Sequence, residues 1–287
     1  MTELKHINHR FQVDCDWLNA HLNDSNLIVL DASMDNPVNK SSIEAKGVIP
    51  GALRFDFSNN IVDTNASSPN MMPSATIFEE KVKQLGVKQN SYLVVYDKQG
   101  LFSAARAWFM FKTMGFDNVA ILRGGLPAWQ AQGFETVDNY QEPNGDGDFL
   151  VTQDKQLFVD KHYVLNAINN DDIQIVDARG YGRFSGQEAE PRLGMRSGHI
   201  PNSLNLHYAS LIKQGALLDE NELKRIFNEL VPAPKEFIFS CGSGVTACIL
   251  ALAADIAGFE QVKVYDGSWS EWGKDKLLPI DIVKLVD

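Results

Sequence analysis

One sequence pattern occurs twice in this chain, and it constrains the fold more than any other feature. An apolar run that ends in Asp-Ala occupies residues 27–32 and recurs at 173–178, and a Gly-x-Ile-Pro motif at 47–50 recurs at 198–201. These and three further landmarks are separated by between 143 and 151 residues. A nearly constant separation over five landmarks indicates a tandem duplication of a unit of roughly 130 residues, not a solenoid of short repeats.

Each copy alternates short apolar runs with stretches of helical character. The runs at 94–96 and 237–239 are continuously apolar, as is typical of strands that are buried on both faces of a parallel sheet. Helical stretches follow them at 104–113 and 246–257, and in the second of these the apolar residues recur at helical spacing. Strands that alternate with helices predict an α/β fold, in which each copy is a parallel sheet flanked by helices.

The domain limits follow from the repeat and from a polar segment between the copies. The interval that separates them is rich in Gly, Asp and Asn, which are residues of turns and loops. We therefore expect an N-terminal domain at 1–140, a linker at 141–152 and a C-terminal domain at 153–287.

Charge and cysteine content exclude several classes of protein. Lys and Arg number 26 against 37 Asp and Glu, and the resulting net charge of −11 is unsuited to binding nucleic acid or anionic membranes. The cysteines Cys15, Cys241 and Cys248 lack Cys-x-x-Cys spacing, so neither a disulfide framework nor a zinc site is expected. Residues 1–11 contain no apolar signal segment. We expect a cytoplasmic protein that requires no metal or organic cofactor.

The two copies differ directly after their central strand, where the first has Asp97 and the second has Cys241. Two glycines in a short strand-to-helix turn allow several backbone N–H groups to point inward and bind an anion. A thiolate is favoured at the base of such a turn, which marks Cys241 as a nucleophile. Cys15 and Cys248 are expected to be ordinary core or surface thiols. The residues of the turn are Gly242, Ser243, Gly244, Val245 and Thr246.

The sequence resembles the two-domain sulfurtransferases of the rhodanese superfamily from about Trp17 to Pro279. The resemblance implies tandem rhodanese-like domains, of which the first is catalytically silent because Asp97 replaces the cysteine. Within the superfamily, the chain is most similar to the branch that uses 3-mercaptopyruvate. The matching motifs are Cys-Gly-Ser-Gly-Val-Thr-Ala at 241–247, Tyr-Asp-Gly-Ser-Trp-Ser-Glu-Trp-Gly at 265–273, Glu-Pro-Arg at 190–192, Gly-His-Ile-Pro at 198–201 and Ser-Pro-Asn-Met-Met-Pro at 68–73.

The implied activity is the transfer of sulfane sulfur from 3-mercaptopyruvate, a small-molecule donor, through a persulfide on Cys241. The acceptor is cyanide, a thiol or thioredoxin, and pyruvate is released. Two alternatives stay open, namely a thiosulfate:cyanide sulfurtransferase and a non-enzymatic persulfide carrier or interaction module. A cysteine phosphatase is disfavoured, because its loop needs an arginine at the position that Ala247 occupies.

The loop is expected to supply most of the catalytic groups. Backbone N–H groups of residues 242–246 would stabilise an anionic sulfur as an oxyanion hole stabilises oxygen. The hydroxyls of Ser243 and Thr246 are candidate hydrogen-bond donors to the same charge, and the resemblance also assigns proton handling to Ser243. For both hydroxyls, capping of the following helix is the alternative.

A longer loop in the second copy carries arginines that the first copy lacks. The interval from Asp177 to Gly198 is 21 residues, against 16 at the corresponding place in the first copy. Guanidinium groups offer the paired N–H donors that match a carboxylate with a neighbouring keto group. The resemblance assigns substrate binding to Arg183 and Arg192, whereas Arg179 and Arg196 are expected to be solvated surface residues.

The first two residues of the loop bear on the choice of donor. Rhodaneses that use thiosulfate usually have Arg and Lys after the cysteine, whereas Gly242 and Ser243 are neutral. Each missing charge-assisted contact costs roughly 1.5–3 kcal/mol, which favours 3-mercaptopyruvate over the thiosulfate dianion.

The chain also departs from the family pattern. Some members place an Asp and a His from the N-terminal copy near the cysteine, and the matching positions here hold Ser58 and Asn70. A Ser-His-Asp relay is therefore not predicted. His199 is expected to be structural, and Trp269 and Trp272 are expected to pack the core.

Overall fold

The computed structural model of this chain describes residues 11–35, 45–152, 157–231 and 236–283. Within these ranges the polypeptide forms two five-stranded sheets, and every pair of neighbouring strands in them is parallel. The predicted α/β fold with two parallel sheets flanked by helices is thus confirmed. The predicted domain limits at residues 1, 153 and 287 lie outside the described residues.

The N-terminal unit contains the first sheet. Its strands are β1 (Gln12–Val13), β2 (Leu27–Asp31), β3 (Leu53–Arg54), β4 (Tyr92–Tyr96) and β5 (Val119–Leu122), and its helices are α1 (Cys15–His21), α2 (Ala75–Gln84), α3 (Ala104–Thr113) and α4 (Gly125–Ala131). The strand order across this sheet is β1-β5-β4-β2-β3, with β4 in the centre. Because β4 is covered on both faces, its sequence is apolar throughout.

The C-terminal unit repeats this arrangement and adds to it. Its strands are β6 (Phe158–Val159), β7 (Ile173–Asp177), β8 (Leu204–Asn205), β9 (Ile212–Lys213), β10 (Ala216–Leu217), β11 (Glu236–Ser240) and β12 (Val262–Tyr265), and its helices are α5 (Lys161–Ala167), α6 (Tyr181–Ser185), α7 (Glu220–Leu230), α8 (Ala247–Ile256) and α9 (Ser268–Trp272), with a 3-10 turn at Tyr208–Leu211. The sheet order β6-β12-β11-β7-β8 matches the first sheet strand for strand. Helix α6 and the β9–β10 hairpin have no counterpart among the described residues of the first unit.

The two helices that follow the central strands lie where the sequence predicts them. Helix α3 has the predicted bounds, and α8 is the predicted stretch less one residue at each end, since Thr246 and Ala257 are its caps. Both helices are apolar nearly all round, and they pack against each other between the units. The ring of Phe109 on α3 meets that of Phe158 from the second unit at 5.0 Å. A continuous core therefore joins the two units.

The segment predicted as a linker has no helix or strand at 141–152. It lies along the N-terminal unit, where the backbone N–H of Phe149 donates to the carbonyl of Val87 and that of Gln141 to the carbonyl of Ala52. Phe149 is fully buried and packs edge-on to Phe78 at 5.9 Å. These contacts fasten the connection to the first unit.

The helices of the described residues are short. Helix α8 is apolar nearly all round, but it has only ten residues. None of the described helices combines the length and apolar character that crossing a bilayer requires.

Candidate active site

Cys241 lies directly after the central strand β11, at the carboxyl end of the second sheet. Its backbone N–H donates to the hydroxyl of Ser268 at 3.1 Å, and its carbonyl accepts from the N–H of Trp269 at 2.9 Å. Only 2% of Cys241 is exposed. The start of α9 thus fixes the backbone of the cysteine on both sides, and the thiol borders a cavity.

The loop after Cys241 presents a run of backbone N–H groups. Among the residues that the structure describes, none accepts a hydrogen bond from the N–H groups of residues 242–246. Gly244 has a φ of +73°, and a Cβ there would lie 2.6 Å from the carbonyl oxygen of Asp266, so that only glycine fits. Thr246 precedes α8 without a side-chain capping bond. A row of free donors at a helix start is an arrangement that binds anions.

The corresponding loop of the first unit shows what these donors can hold. The Asp97 carboxylate oxygen Oδ2 accepts from the N–H groups of Phe102, Ser103 and Ala104 at 2.7, 2.8 and 2.9 Å. Its other oxygen accepts from Gln99 at 2.9 Å. A negative charge built into the protein therefore fills the first loop.

The two predicted substrate arginines lie beside the second loop. A Cβ on Gly242 would be 3.2 Å from Nη2 of Arg183 and 3.9 Å from Nη1 of Arg192. The Nη1 of Arg192 also donates to Ser270 Oγ at 3.2 Å, and that hydroxyl donates to the Gly242 carbonyl at 2.5 Å. The structure thus brings both guanidinium groups to the residue next to Cys241.

One carboxylate orients Arg183. Glu190 accepts from its Nε at 3.2 Å with each oxygen and also pairs with its Nη2. The same carboxylate accepts from Nη1 of Arg179 at 2.6 Å. Within the described part of the chain, Nη1 of Arg183 makes no hydrogen bond and Arg192 has no carboxylate partner. These two groups carry the positive charge that is available to a ligand.

The expectation that Arg179 and Arg196 are solvated surface residues is wrong. Arg179 is buried, pairs with Asp177 through Nε and Nη2, and stacks on Trp269 at 4.3 Å. Arg196 is partly buried and donates to the carbonyls of Trp272, Gly273, Asp275 and Leu278. Both guanidinium groups donate to buried oxygen atoms that would otherwise lack hydrogen-bond partners. The positions of the two arginines in the sequence do not indicate this role.

The cavity at Cys241 has a volume of about 310 Å³ and lies between the two units. Partial burial lowers the pKa of the Arg192 guanidinium, an effect that Cys241 opposes and Arg183 reinforces. Burial also lowers the pKa of His207, and Arg183 lowers it further, which favours the neutral imidazole. The lining side chains include Met34 and Phe102 from the first unit and Arg183, Arg192, His207, Tyr208, Cys241, Ser243, Val245 and Thr246 from the second.

Two residues of the first unit contact the loop, and the sequence did not identify their role. Arg106 on α3 is fully buried, donates to the Gly244 carbonyl at 3.2 Å and pairs with Asp266 at 2.7 Å. Burial opposes its charge, but Asp266, Cys248 and Cys241 together outweigh that effect and raise the pKa of Arg106. Asn70 donates from Nδ2 to Ser243 Oγ at 3.2 Å. The available signal for Arg106 was a charged residue in the first turn of an otherwise apolar stretch of α3.

The other residues that the sequence analysis discussed do not line the cavity at Cys241. His199 is buried, stacks on Phe184 at 4.0 Å and bonds its carbonyl through Nδ1, as expected for a structural histidine. Trp269 and Trp272 are buried core residues, as predicted. Ser58 borders a different cavity of the first unit.

The other two cysteines are core thiols. Cys15 and Cys248 are both buried, and burial raises the pKa of each, to about 11 for Cys15. Cys248 donates to the Gly244 carbonyl at 3.2 Å. The described residues contain no cluster of three or more His, Cys, Asp or Glu side chains placed to hold a metal ion.

Comparison with known proteins gives the family. The rhodanese-like domain model matches residues 14–132 and 160–275. The 3-mercaptopyruvate sulfurtransferase of Escherichia coli K12 is 39% identical over 277 residues, which cover 95% of this chain and 98% of that protein. The mitochondrial thiosulfate/3-mercaptopyruvate sulfurtransferase 1 of Arabidopsis thaliana is 36% identical over 95% of this chain and 78% of its own length.

Solved structures agree with these matches. The crystal structure of SseA from Escherichia coli superposes with a TM-score of 0.78 at 37% identity, over 91% of this chain and 99% of that one. The chain belongs to the rhodanese family. It is a sulfurtransferase of the two-domain type, and the resemblance seen in its motifs is confirmed.

Proposed function

We propose that this enzyme moves sulfane sulfur from 3-mercaptopyruvate to a thiophilic acceptor through a persulfide on Cys241. The observation that carries the proposal is the run of unpaired N–H groups at 242–246 directly after a buried cysteine, with no acceptor among the described residues. Such donors stabilise a thiolate before transfer and a persulfide anion after it. The names of the relatives from Escherichia coli and Arabidopsis thaliana support the same reaction class.

In the first step, the Cys241 thiolate attacks the sulfur of 3-mercaptopyruvate. A sulfur–sulfur bond forms and the carbon–sulfur bond breaks, and its electron pair stays on the pyruvate enolate. The proton of the donor thiol ends on the enolate carbon, which gives pyruvate and a Cys241 persulfide anion. This is covalent catalysis, in which one difficult transfer becomes two easier ones.

In the second step, a nucleophilic acceptor attacks the outer sulfur of the persulfide. Cyanide leaves as thiocyanate, and a thiolate, free or on thioredoxin, leaves as a persulfide. The electron pair of the cleaved sulfur–sulfur bond returns to Cys241 as its thiolate. The loop N–H groups then hold the same charge as before the reaction, so the site is ready for another donor.

Donor binding falls to the two arginines. Arg192 and Nη1 of Arg183 supply the guanidinium donors that are not consumed by carboxylates of the described residues. A carboxylate beside a keto oxygen presents acceptors in one plane, which suits guanidinium groups. In this proposal the donor lies over Gly242, with its sulfur toward Cys241.

The two units have different roles in this proposal. The unit at 153–287 carries the chemistry, and the unit at 1–140 is catalytically silent because the Asp97 carboxylate occupies its loop. Segment 141–152 connects them. The silent unit still completes the site, since Met34 and Phe102 form one wall of the cavity.

Thiosulfate is the second candidate donor. The Arabidopsis thaliana relative carries both donors in its name, and both arginines would also bind a dianion. The neutral Gly242 and Ser243 favour the keto acid. A persulfide carrier without turnover is the non-enzymatic alternative, and the small cavity with its free arginine groups favours a small-molecule donor instead.

The test is the ratio of kcat/KM for 3-mercaptopyruvate to that for thiosulfate, with cyanide as the common acceptor. The proposal predicts a ratio well above one, and Arg192→Ala should lower the numerator. A suitable matched control is Arg225→Ala, since Arg225 is an exposed arginine whose ion pair with Glu229 lies on α7. A ratio well below one would identify thiosulfate as the donor, and no turnover with either would favour the carrier.

A further inference from the structure

Asn70 is placed against the catalytic loop in an unusual way. It comes from the silent unit, 173 positions before Ser243 in the sequence, and its Nδ2 donates to Ser243 Oγ at 3.2 Å. Only 5% of Asn70 and 6% of Ser243 is exposed. The backbone of Asn70 has a φ of +61°, a left-handed conformation that few residues other than glycine and asparagine adopt. The contact is therefore specific and shielded from water.

One buried cation fixes both partners of this contact. Nη2 of Arg106 donates to the carbonyl of Asn70 at 2.5 Å, while its Nη1 donates to the carbonyl of Gly244, the residue after Ser243. Asp266 pairs with Arg106 and also accepts from the N–H of Met72 at 2.7 Å. The hydrogen bonds of Arg106 thus fix the backbone beside the Asn70 amide and beside the Ser243 hydroxyl.

The polarity of the contact determines what the hydroxyl can do. An amide NH₂ group only donates, so Ser243 Oγ is the acceptor and its own proton must point elsewhere. Within the described part of the chain, no group accepts that proton. Ser243 lines the cavity together with Cys241. The free O–H is therefore available to a molecule bound there.

We propose that Asn70 is a positioning residue that keeps the Ser243 hydroxyl as a proton donor to the carbon fragment leaving the sulfur. This inference rests on the proposed function. When the carbon–sulfur bond breaks, Ser243 gives its proton to the enolate and regains one from the terminal S–H of the new persulfide. The balance is unchanged, since the thiol proton of the donor ends on the methyl group of pyruvate.

The role predicts a dependence on the donor. With thiosulfate, sulfite leaves with the electron pair on sulfur and needs no proton at neutral pH. Asn70 should therefore matter for 3-mercaptopyruvate and not for thiosulfate. A purely structural role in holding the loop would affect both donors equally.

Asn70→Gly tests this prediction, because glycine accepts the left-handed backbone and removes only the amide. We expect kcat with 3-mercaptopyruvate to fall about tenfold, as for loss of one buried hydrogen bond, with KM unchanged. We expect kcat with thiosulfate to stay within about twofold of wild type. Equal losses with both donors, or no loss with either, would overturn the inference.

A matched control is available in the same chain. Asn202 also has a left-handed backbone, with a φ of +59°, and its Nδ2 donates to the carbonyl of Ile168 at 2.9 Å, away from the cavity. Asn202→Gly should leave the ratio of the two donors unchanged. If it changed that ratio as Asn70→Gly does, the effect would be one of folding and the inference would fail.

A second variant reverses the polarity of the contact. The carboxylate in Asn70→Asp accepts instead of donating, and it draws the Ser243 proton away from the cavity. Activity with 3-mercaptopyruvate relative to wild type should fall as pH rises and the new carboxyl ionises. A ratio that is constant with pH would contradict the inference. The charged or titratable groups that contact this pair or line the cavity beside it are Arg106, Asp266, Cys241, Cys248, Arg179, Arg183, Glu188, Arg192, His207 and Tyr208.

Different results would refute the proposed function and the role of Asn70. A wild-type enzyme without activity toward 3-mercaptopyruvate would refute the proposed function. An active wild type whose Asn70→Gly variant loses no donor selectivity would refute the role of Asn70 alone. Adding Asn70→Gly to Ser243→Ala should cause little further loss, because Asn70 acts only through the hydroxyl that Ser243→Ala has already removed.

Discussion

The loops that follow the central strands of the two units differ in what their backbone N–H groups bind. In the first unit the Asp97 carboxylate is bound by three N–H groups at the start of α3. In the second unit the residue at the same place is Cys241, and the N–H groups of 242–246 have no acceptor in the described part of the chain. A fixed internal anion completes the first loop, whereas the N–H groups of the second loop are available to an anion that binds in the cavity.

The comparison extends beyond the loop. The second unit has gained α6 and the arginines around it, and the first unit has no such insertion among its described residues. Two residues of the first unit, Arg106 and Asn70, donate hydrogen bonds to the loop of the second unit. The first unit thus supports the loop of the second unit, and residues of both units line the cavity.

The largest effect is expected from removing the nucleophile. Cys241→Ser should lower sulfur transfer by at least about a thousandfold, because a hydroxyl cannot form the persulfide. The fold should be unaffected, since the backbone bonds of residue 241 to α9 remain. Steady-state assays with both donors and thermal unfolding measure the two effects. Cys15→Ala, at a buried thiol remote from the cavity, is the control, and activity retained by Cys241→Ser would refute the mechanism.

The next largest effect concerns the arginine that only the second unit possesses. Arg192→Ala should lower kcat/KM for 3-mercaptopyruvate about 10- to 100-fold, the value of one charge-assisted contact. Stability should change little, because its side chain bonds only Ser270 among the described residues. Arg183→Ala is a less clean test, as it also removes one of the two arginines that pair with Glu190. An unchanged kcat/KM in Arg192→Ala would remove this residue from the site.

A third prediction concerns a cysteine placed in the loop of the first unit. Asp97→Cys in the Cys241→Ser background should show no turnover, because the first unit lacks the arginine insertion. Persulfide-dependent turnover from that double variant would show that the loop alone suffices. The measurement is thiocyanate formation from either donor.

Asp97→Asn should affect stability and leave activity almost unchanged. The amide has one acceptor oxygen instead of two, so its NH₂ group would face an N–H donor where a carboxylate oxygen now accepts, and we expect a loss of about 3 kcal/mol in the free energy of unfolding. We expect kcat within about twofold of wild type, because the residue lies in the other unit. Asp138→Asn, at an exposed position, is the control for removal of a surface charge. A large fall in kcat with unchanged stability would contradict the silent role.

The smallest effect is expected at Thr246. Its hydroxyl makes no capping bond, so the residue contributes through its backbone N–H. Thr246→Ala should therefore retain activity within about twofold. A loss comparable to that of Ser243→Ala would assign proton handling to the threonine instead.

The sequence predicted what is repeated and local. Helix α3 was placed at its observed bounds, because an apolar helix after an apolar strand is encoded in adjacent residues. The place of Cys241 at the end of a central strand followed from the same repeat. The match of Arg183 and Arg192 to family motifs led to two side chains that the structure places by one cavity, while their catalytic roles stay a prediction.

The sequence could not predict contacts between distant segments. Arg179 was taken for a surface residue because its partners Asp177 and Glu190 become buried only when the loop folds over them. The family match places the position of Asn70 near the cysteine, but it does not indicate the hydrogen bond to Ser243, which lies 173 positions away. Arg106 was visible only as a charge inside an apolar helix, and its purpose depends on how the two units dock.

The most direct test is mass spectrometry of cysteine-containing peptides, with fragmentation to separate Cys241 from Cys248, after a single turnover with stoichiometric 3-mercaptopyruvate and no acceptor. We expect one added sulfur atom on Cys241, none on Cys15 or Cys248, and one pyruvate released for each sulfur bound. Added cyanide should remove that sulfur as thiocyanate. Sulfur on another cysteine, or pyruvate released without any sulfur retained on the protein, would contradict a mechanism that passes through a persulfide on Cys241.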